Sequence, residues 1–122
     1  MNSSKPYQSG NAWEDCAEYD GVKNGWFVGS QDWMPSAGLC NSEVLEIRWC
    51  KHFAGQVSGV KPLSTGRTLS ILVSGEFQIV VAGERHTLRQ PGDYVIWGSK
   101  LQHSWVALED SVCCTVRWKE EK

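Results

Sequence analysis

The stretch LRQPGDYVIWGSKLQHSW, residues 88–105, decides the fold. It reads as a tight turn, a short apolar strand, a second turn and a histidine. Pro91 presets its φ, Gly92 tolerates a positive φ, and the Asp93 side chain can bond back to its own turn. Residues 94–97 (YVIW) are apolar and rich in β-formers. Gly98, Ser99 and Lys100 break that run, and His103 then stands between Leu101 and Trp105.

The same cadence continues in both directions. Residues 25–30 (GWFVGS) predict a first strand and residues 42–53 (SEVLEIRWCKHF) a second. In the second, Leu45, Ile47 and Trp49 form a purely apolar face, which predicts a strand resting that face on a core. Residues 55–66 are turn-rich, with Gly59, Pro62 and Gly66. Residues 68–73 (TLSILV) predict a strand from their β-branched content. Ser74, Gly75 and Glu76 break it, and residues 77–81 (FQIVV) form the next. Residues 82–85 (AGER) predict a hairpin loop, with residues 86–89 as its short partner strand. Residues 104–108 and 111–118 complete the set around a polar turn at Glu109 and Asp110.

No long stretch carries a helical period, because glycine punctuation is too frequent. Strands recurring every ~8–12 residues are the signature of an all-β sandwich or barrel. The short connections require antiparallel pairing. Closing or doubling the sheet deals with unpaired edges.

The 122 residues make one domain with a modest core. Residues 1–24 read as a polar, partly ordered N-terminal segment, 25–118 as the domain and 119–122 as a charged tail. The net charge of −2 and the scattered basic residues give no footprint for nucleic acid or an anionic membrane. No apolar run approaches the ~20 residues of a membrane span. MNSSKPYQSG lacks the apolar centre of a signal peptide, so the expected compartment is the cytoplasm. Cys16, Cys40, Cys50, Cys113 and Cys114 match no disulfide or zinc framework and read as free thiols in a reducing compartment. A reactive Cys50 between Trp49 and His52 is the alternative.

The region around the PGD turn resembles the second conserved motif of the cupin superfamily. That motif is a glycine, five residues, a proline, one residue, a glycine, two residues, a histidine, three residues and an asparagine. Gly92 and His103 match it. Gly98, Lys100 and Ala107 stand where the proline, the second glycine and the asparagine would be. The longer run DYVIWGSKLQHSWVALEDSVCCTVRW, residues 93–118, is similar to the closing run of small single-domain cupins of unassigned chemistry. The resemblance implies an all-β fold, an antiparallel double-stranded β-helix of the cupin-type jelly-roll barrel class.

Such proteins hold a divalent metal in the barrel mouth with three histidines and a glutamate, a donor set suited to iron, manganese, nickel or zinc. If Gly75 is taken as the glycine that ends the family's first motif, the glutamate position falls on Thr68. The paired histidines then fall on or near Leu63 and Thr65. His103 alone remains, and a catalytic site takes about three protein ligands. The expectation is therefore no cofactor and no tightly held metal. A site built from His52, His86 and His103 is the alternative. His52 shares parity with Cys50, Arg48 and Glu46, a face that could meet either solvent or cavity.

His103 is the candidate catalytic residue. Trp105, two residues on, shares its face in a strand. With Trp97, His86, Thr68 and Ser70 these residues form the candidate pocket. An indole beside an imidazole suits a partly aromatic or aliphatic small-molecule ligand, while the seven tryptophans also read as plain core filling. Two function classes follow: a small-molecule-binding cupin without the usual metal, or a small cupin enzyme using His103. An isomerase could use that imidazole as a general base, whereas a dioxygenase would need a metal. A homodimer is expected, with residues 26–33, including Phe27, and the adjoining Met34 as an apolar contact segment.

Overall fold

A computed structural model of the chain describes residues 8–15, 25–30, 38–58 and 66–119. A single-turn helix, α1 (Ala12–Asp15), precedes eight strands among these residues. They are β1 (Trp26–Val28), β2 (Leu45–His52), β3 (Gly66–Ser74), β4 (Phe77–Val81), β5 (Glu84–Leu88), β6 (Tyr94–Trp97), β7 (His103–Ala107) and β8 (Ser111–Lys119). They form two antiparallel sheets, ordered β1-β2-β8-β3-β6 and β5-β4-β7. The two sheets enclose the core as a jelly-roll sandwich, which is the all-β antiparallel architecture expected from the strand cadence.

The turn that opens the decisive stretch is built as its residues dictate. Asp93 Oδ2 accepts the backbone N–H groups of Arg89 and Gln90, both at 2.9 Å. Those bonds stabilise the carboxylate and hold its pKa below the ordinary value, the Gln90 bond contributing most. Lys100, at the position the resemblance gives to a glycine, keeps the glycine's left-handed backbone with φ 67°. A lysine there costs about 1–2 kcal/mol, which the surrounding turn must offset.

Several boundaries differ from the sequence reading. The hairpin loop is only Ala82 and Gly83, both left-handed, and Glu84 and Arg85 already pair with Val81 and Val80. Two left-handed residues match the twist of the flanking strands, so the loop needs no more. The turn-rich region after β2 contains an added edge. Val57 bridges Val106, Gly55 N–H donates to Ala107 O at 2.8 Å, and Ser58 N–H to Trp105 O at 3.0 Å. That segment carries the chain from one sheet to the other and covers the exposed side of β7.

The apolar face of β2 points the other way from the expectation. Register places Glu46, Arg48, Cys50 and His52 opposite Arg117, Thr115, Cys113 and Ser111, and the last three members of that β2 face line the interior. Leu45, Ile47 and Trp49 lie on the outer face of the five-stranded sheet. They join two apolar rows there, Ile47-Val116-Leu69-Ile96 and Trp49-Cys114-Ile71-Tyr94. Alternation separates two faces but does not say which one meets the opposing sheet. The buried core comes instead from Leu72, Phe77, Ile79, Val81, Leu88, Trp97, Ala107, Cys50 and Cys113.

Candidate functional site

Between the sheets lies a cavity of about 350 Å³, at the small end of sites that take small molecules. Strand parity selects its lining. From β3 come Thr68 and Ser70, from β8 Cys113, Thr115 and Arg117, and from β2 Arg48, Cys50 and His52. Trp26, Trp97, Phe77 and Ile79 close the walls, and β7 adds His103 and Trp105. The hydroxyls of Ser70 and Thr115 are 2.9 Å apart, and Cys50 Sγ donates weakly to Thr115 Oγ1 at 3.9 Å.

Two aromatic groupings shape the interior. His52 packs on Trp105 with centroids 4.2 Å apart and on Phe77 at 4.9 Å, and Phe77 stacks on Trp105 at 5.3 Å. Trp97 and His103 meet at 5.0 Å on another wall. Burial of the His52 ring lowers its pKa to about 4, helped by the positive charge of Arg48. His52 is therefore a neutral imidazole at neutral pH. Burial pushes the Cys113 thiol up to about 12, so it stays protonated and is a poor nucleophile or metal ligand. Cys50 lies directly opposite Cys113 and is also buried.

Of the residues singled out in the sequence, the cavity brings together His103, Trp105, Trp97, Thr68, Ser70 and His52. It does not include His86. That side chain stands on β5, the outer strand of the three-stranded sheet, 38% exposed and 3.8 Å from Glu84 Oε1. Its parity with the apolar Leu88 suggested an inward side chain, but the strand's place at the sheet edge carries His86 past the cavity. Leu63, Thr65, Cys16, Trp33 and Met34 lie outside the described residues. Arg117, Thr115 and Phe77 were not singled out in the sequence, whose reading leaves the face carrying Arg48 open between solvent and cavity.

The donor set does not fit the metal centre that the resemblance implies. Thr68 stands at the glutamate position, and no group of three histidine, cysteine, aspartate or glutamate side chains converges among the described residues. His52 packs against both Phe77 and Trp105, while His103 packs on Trp97. The set His52, His86 and His103 is dispersed over two walls and an outer strand.

The architecture has close counterparts among solved structures. KdgF from Halomonas sp. superposes with a TM-score of 0.60 at 24% identity, over 66% of this chain and 74% of that one. A cupin superfamily protein from Desulfitobacterium hafniense gives 0.60 at 16% identity, over 65% and 71%. A conserved Streptococcus pyogenes protein of unknown function gives 0.63 at 20% identity, over 100% and 96%. No protein-family model matches the chain, and no curated protein matches it significantly. The two facing antiparallel sheets and these likenesses define the chain as a small protein with the cupin fold. Among the described residues no helix is long and apolar enough to cross a membrane.

Proposed function

We propose that this chain is a small-molecule-binding cupin that works without the usual catalytic metal. The carrying observation is the cavity, enclosed by the two sheets and lined by aromatic rings, hydroxyls and arginines in place of a convergent ligand set. Apolar walls with a few placed polar groups are the pattern of a ligand site. β7 supplies His103 and Trp105 to two walls of the cavity, and β3 supplies the hydroxyls of Thr68 and Ser70. Among the described residues Cys40, Cys50, Cys113 and Cys114 form no disulfide, which supports a reducing, cytoplasmic setting.

A thermal-shift screen of divalent metals, sugars and small acids tests this reading, with elemental analysis of protein purified without chelator. An organic ligand at a hundred times its Kd stabilises by about 2.7 kcal/mol, raising the Tm by roughly 10 °C. The shift is expected to shrink in His103→Ala. One equivalent of bound metal, lost in His103→Ala, would overturn the metal-free reading. Turnover of a hit compound would favour the enzyme alternative.

The outer face of the five-stranded sheet supports a homodimer, through a different surface from the one expected. Trp26 lines the cavity, and residues 31–34 of the segment expected to make the contact lie outside the described residues. The two outer apolar rows end in Ile96 and Tyr94, 50% and 62% exposed. The five strands span roughly 550 Å², about two thirds of the ~800 Å² that each partner contributes to a standard interface. A second copy is the partner this face fits, because two-fold docking places the same rows against each other. Sedimentation is expected to give a dimer at micromolar concentration and a monomer for Ile96→Lys. A wild-type monomer would remove the dimer.

A further inference from the structure

The cavity has two chemically different ends. At one, the guanidinium carbons of Arg48 and Arg117 lie 5.6 and 4.8 Å from the centre of the Trp26 ring. At the other, His52, Phe77 and Trp105 form the aromatic cluster. Arg48 and His52 are four residues apart on β2, roughly 13 Å along an extended strand. Thr68, Ser70 and Thr115 border the space between.

Charge in the lining has one sign. Among the described lining residues the charged side chains are Arg48 and Arg117, and none is a carboxylate. Glu46 is not part of that lining, and its Oε1 accepts Arg117 Nε–H at 3.1 Å and Nη2–H at 2.7 Å. A guanidinium carries five donors, so one such pairing leaves it capacity for another anion. The same capacity applies to Arg48, where an anion would add to its existing contacts. His52 brings no compensating negative charge, and Cys113 stays a neutral thiol.

Resting on the binding reading above, we infer that the cavity takes a small carboxylic acid in its ionised form. The carboxylate lies at Arg48 and Arg117, and the ring or aliphatic chain lies against Phe77 and Trp105. The planar fork of arginine matches a carboxylate in bidentate geometry. The small volume admits a compact acid, and the apolar end rewards one whose remainder is hydrocarbon.

Matched acid and amide pairs test the inference on the unaltered protein. Benzoate, phenylacetate and hexanoate are titrated beside benzamide, phenylacetamide and hexanamide by calorimetry or ligand-observed NMR. At least one acid is expected to bind tenfold or more tightly than its amide. Arg48→Gln and Arg117→Gln are expected to weaken that acid at least tenfold, in line with a charge-assisted hydrogen bond. Arg48→Lys should recover part of the loss, and an unchanged Tm certifies each variant's fold. Equal binding of acid and amide would overturn the carboxylate assignment and leave the pocket reading standing. The carboxylate assignment also falls, alone, if neither acids nor amides bind while the wider thermal-shift screen finds another ligand. Failure of every compound in both experiments removes the pocket reading as well.

Discussion

Gly75→Ala is expected to destabilise the protein by about 3 kcal/mol. Gly75 has φ +94°, and a Cβ placed on it would stand 2.3 Å from the Asp110 carbonyl oxygen and 2.7 Å from Ser111 Cα. Both are backbone atoms and cannot swing aside. The position joins β3 in one sheet to β4 in the other, and it is woven into the β7–β8 turn. Glu76 N–H donates to Ser111 Oγ at 3.1 Å, and the Leu108 and Glu109 N–H groups donate to Glu76 O at 2.9 and 3.2 Å. A left-handed alanine costs about 1–2 kcal/mol, and overpacking adds about 1–3 kcal/mol. Gly83→Ala is the control. Gly83 has φ +83° but a Cβ there meets nothing within 4 Å, so only the left-handed cost of about 1–2 kcal/mol applies. Urea unfolding of both variants measures the difference, and equal losses would refute the close-approach explanation.

Phe77→Ala is expected to cost about 3–5 kcal/mol and to impair ligand binding. Phe77 is 3% exposed, stacks on His52 and Trp105, and forms the wall shared by the core and the cavity. Truncation leaves a void that the two facing sheets cannot collapse to fill, and it removes part of the surface a ligand would touch. Phe77→Leu keeps most of the apolar volume and should lose no more than about 1.5 kcal/mol. Denaturant midpoints at constant m-value report the stability change. A loss under about 1 kcal/mol in Phe77→Ala would mean that the ring carries little packing.

Much of the fold was legible in local signals. Asp93 bonding its own turn, the hairpin around Gly83 and the alternation in residues 68–73 each rest on chemistry within a few residues. Those signals named the strands within three residues of their bounds. The site was legible only in part. His103, Trp105, Trp97, Thr68 and Ser70 were named from one resemblance and from parity, and they share the cavity. His86 had the right parity on a strand that lies at an edge. Arg117 carried no signal, and the face of Arg48 stayed open between solvent and cavity, because a charged residue alternating with apolar ones describes either.

By itself, then, the sequence determined the alternation of strands and turns, the absence of long helices and hence the two-sheet class. Periodicity and turn chemistry are local properties, and they survive without knowledge of neighbours. Tertiary structure alone decided that Arg48, Cys50 and His52 face inward while Leu45, Ile47 and Trp49 face outward. That choice depends on where the second sheet packs and on the register of β2 with β8. It also decided that Arg48 and Arg117, distant in the chain, flank one tryptophan ring. Long-range pairing is set by the packing of whole sheets, and a strand read alone holds no record of its partner.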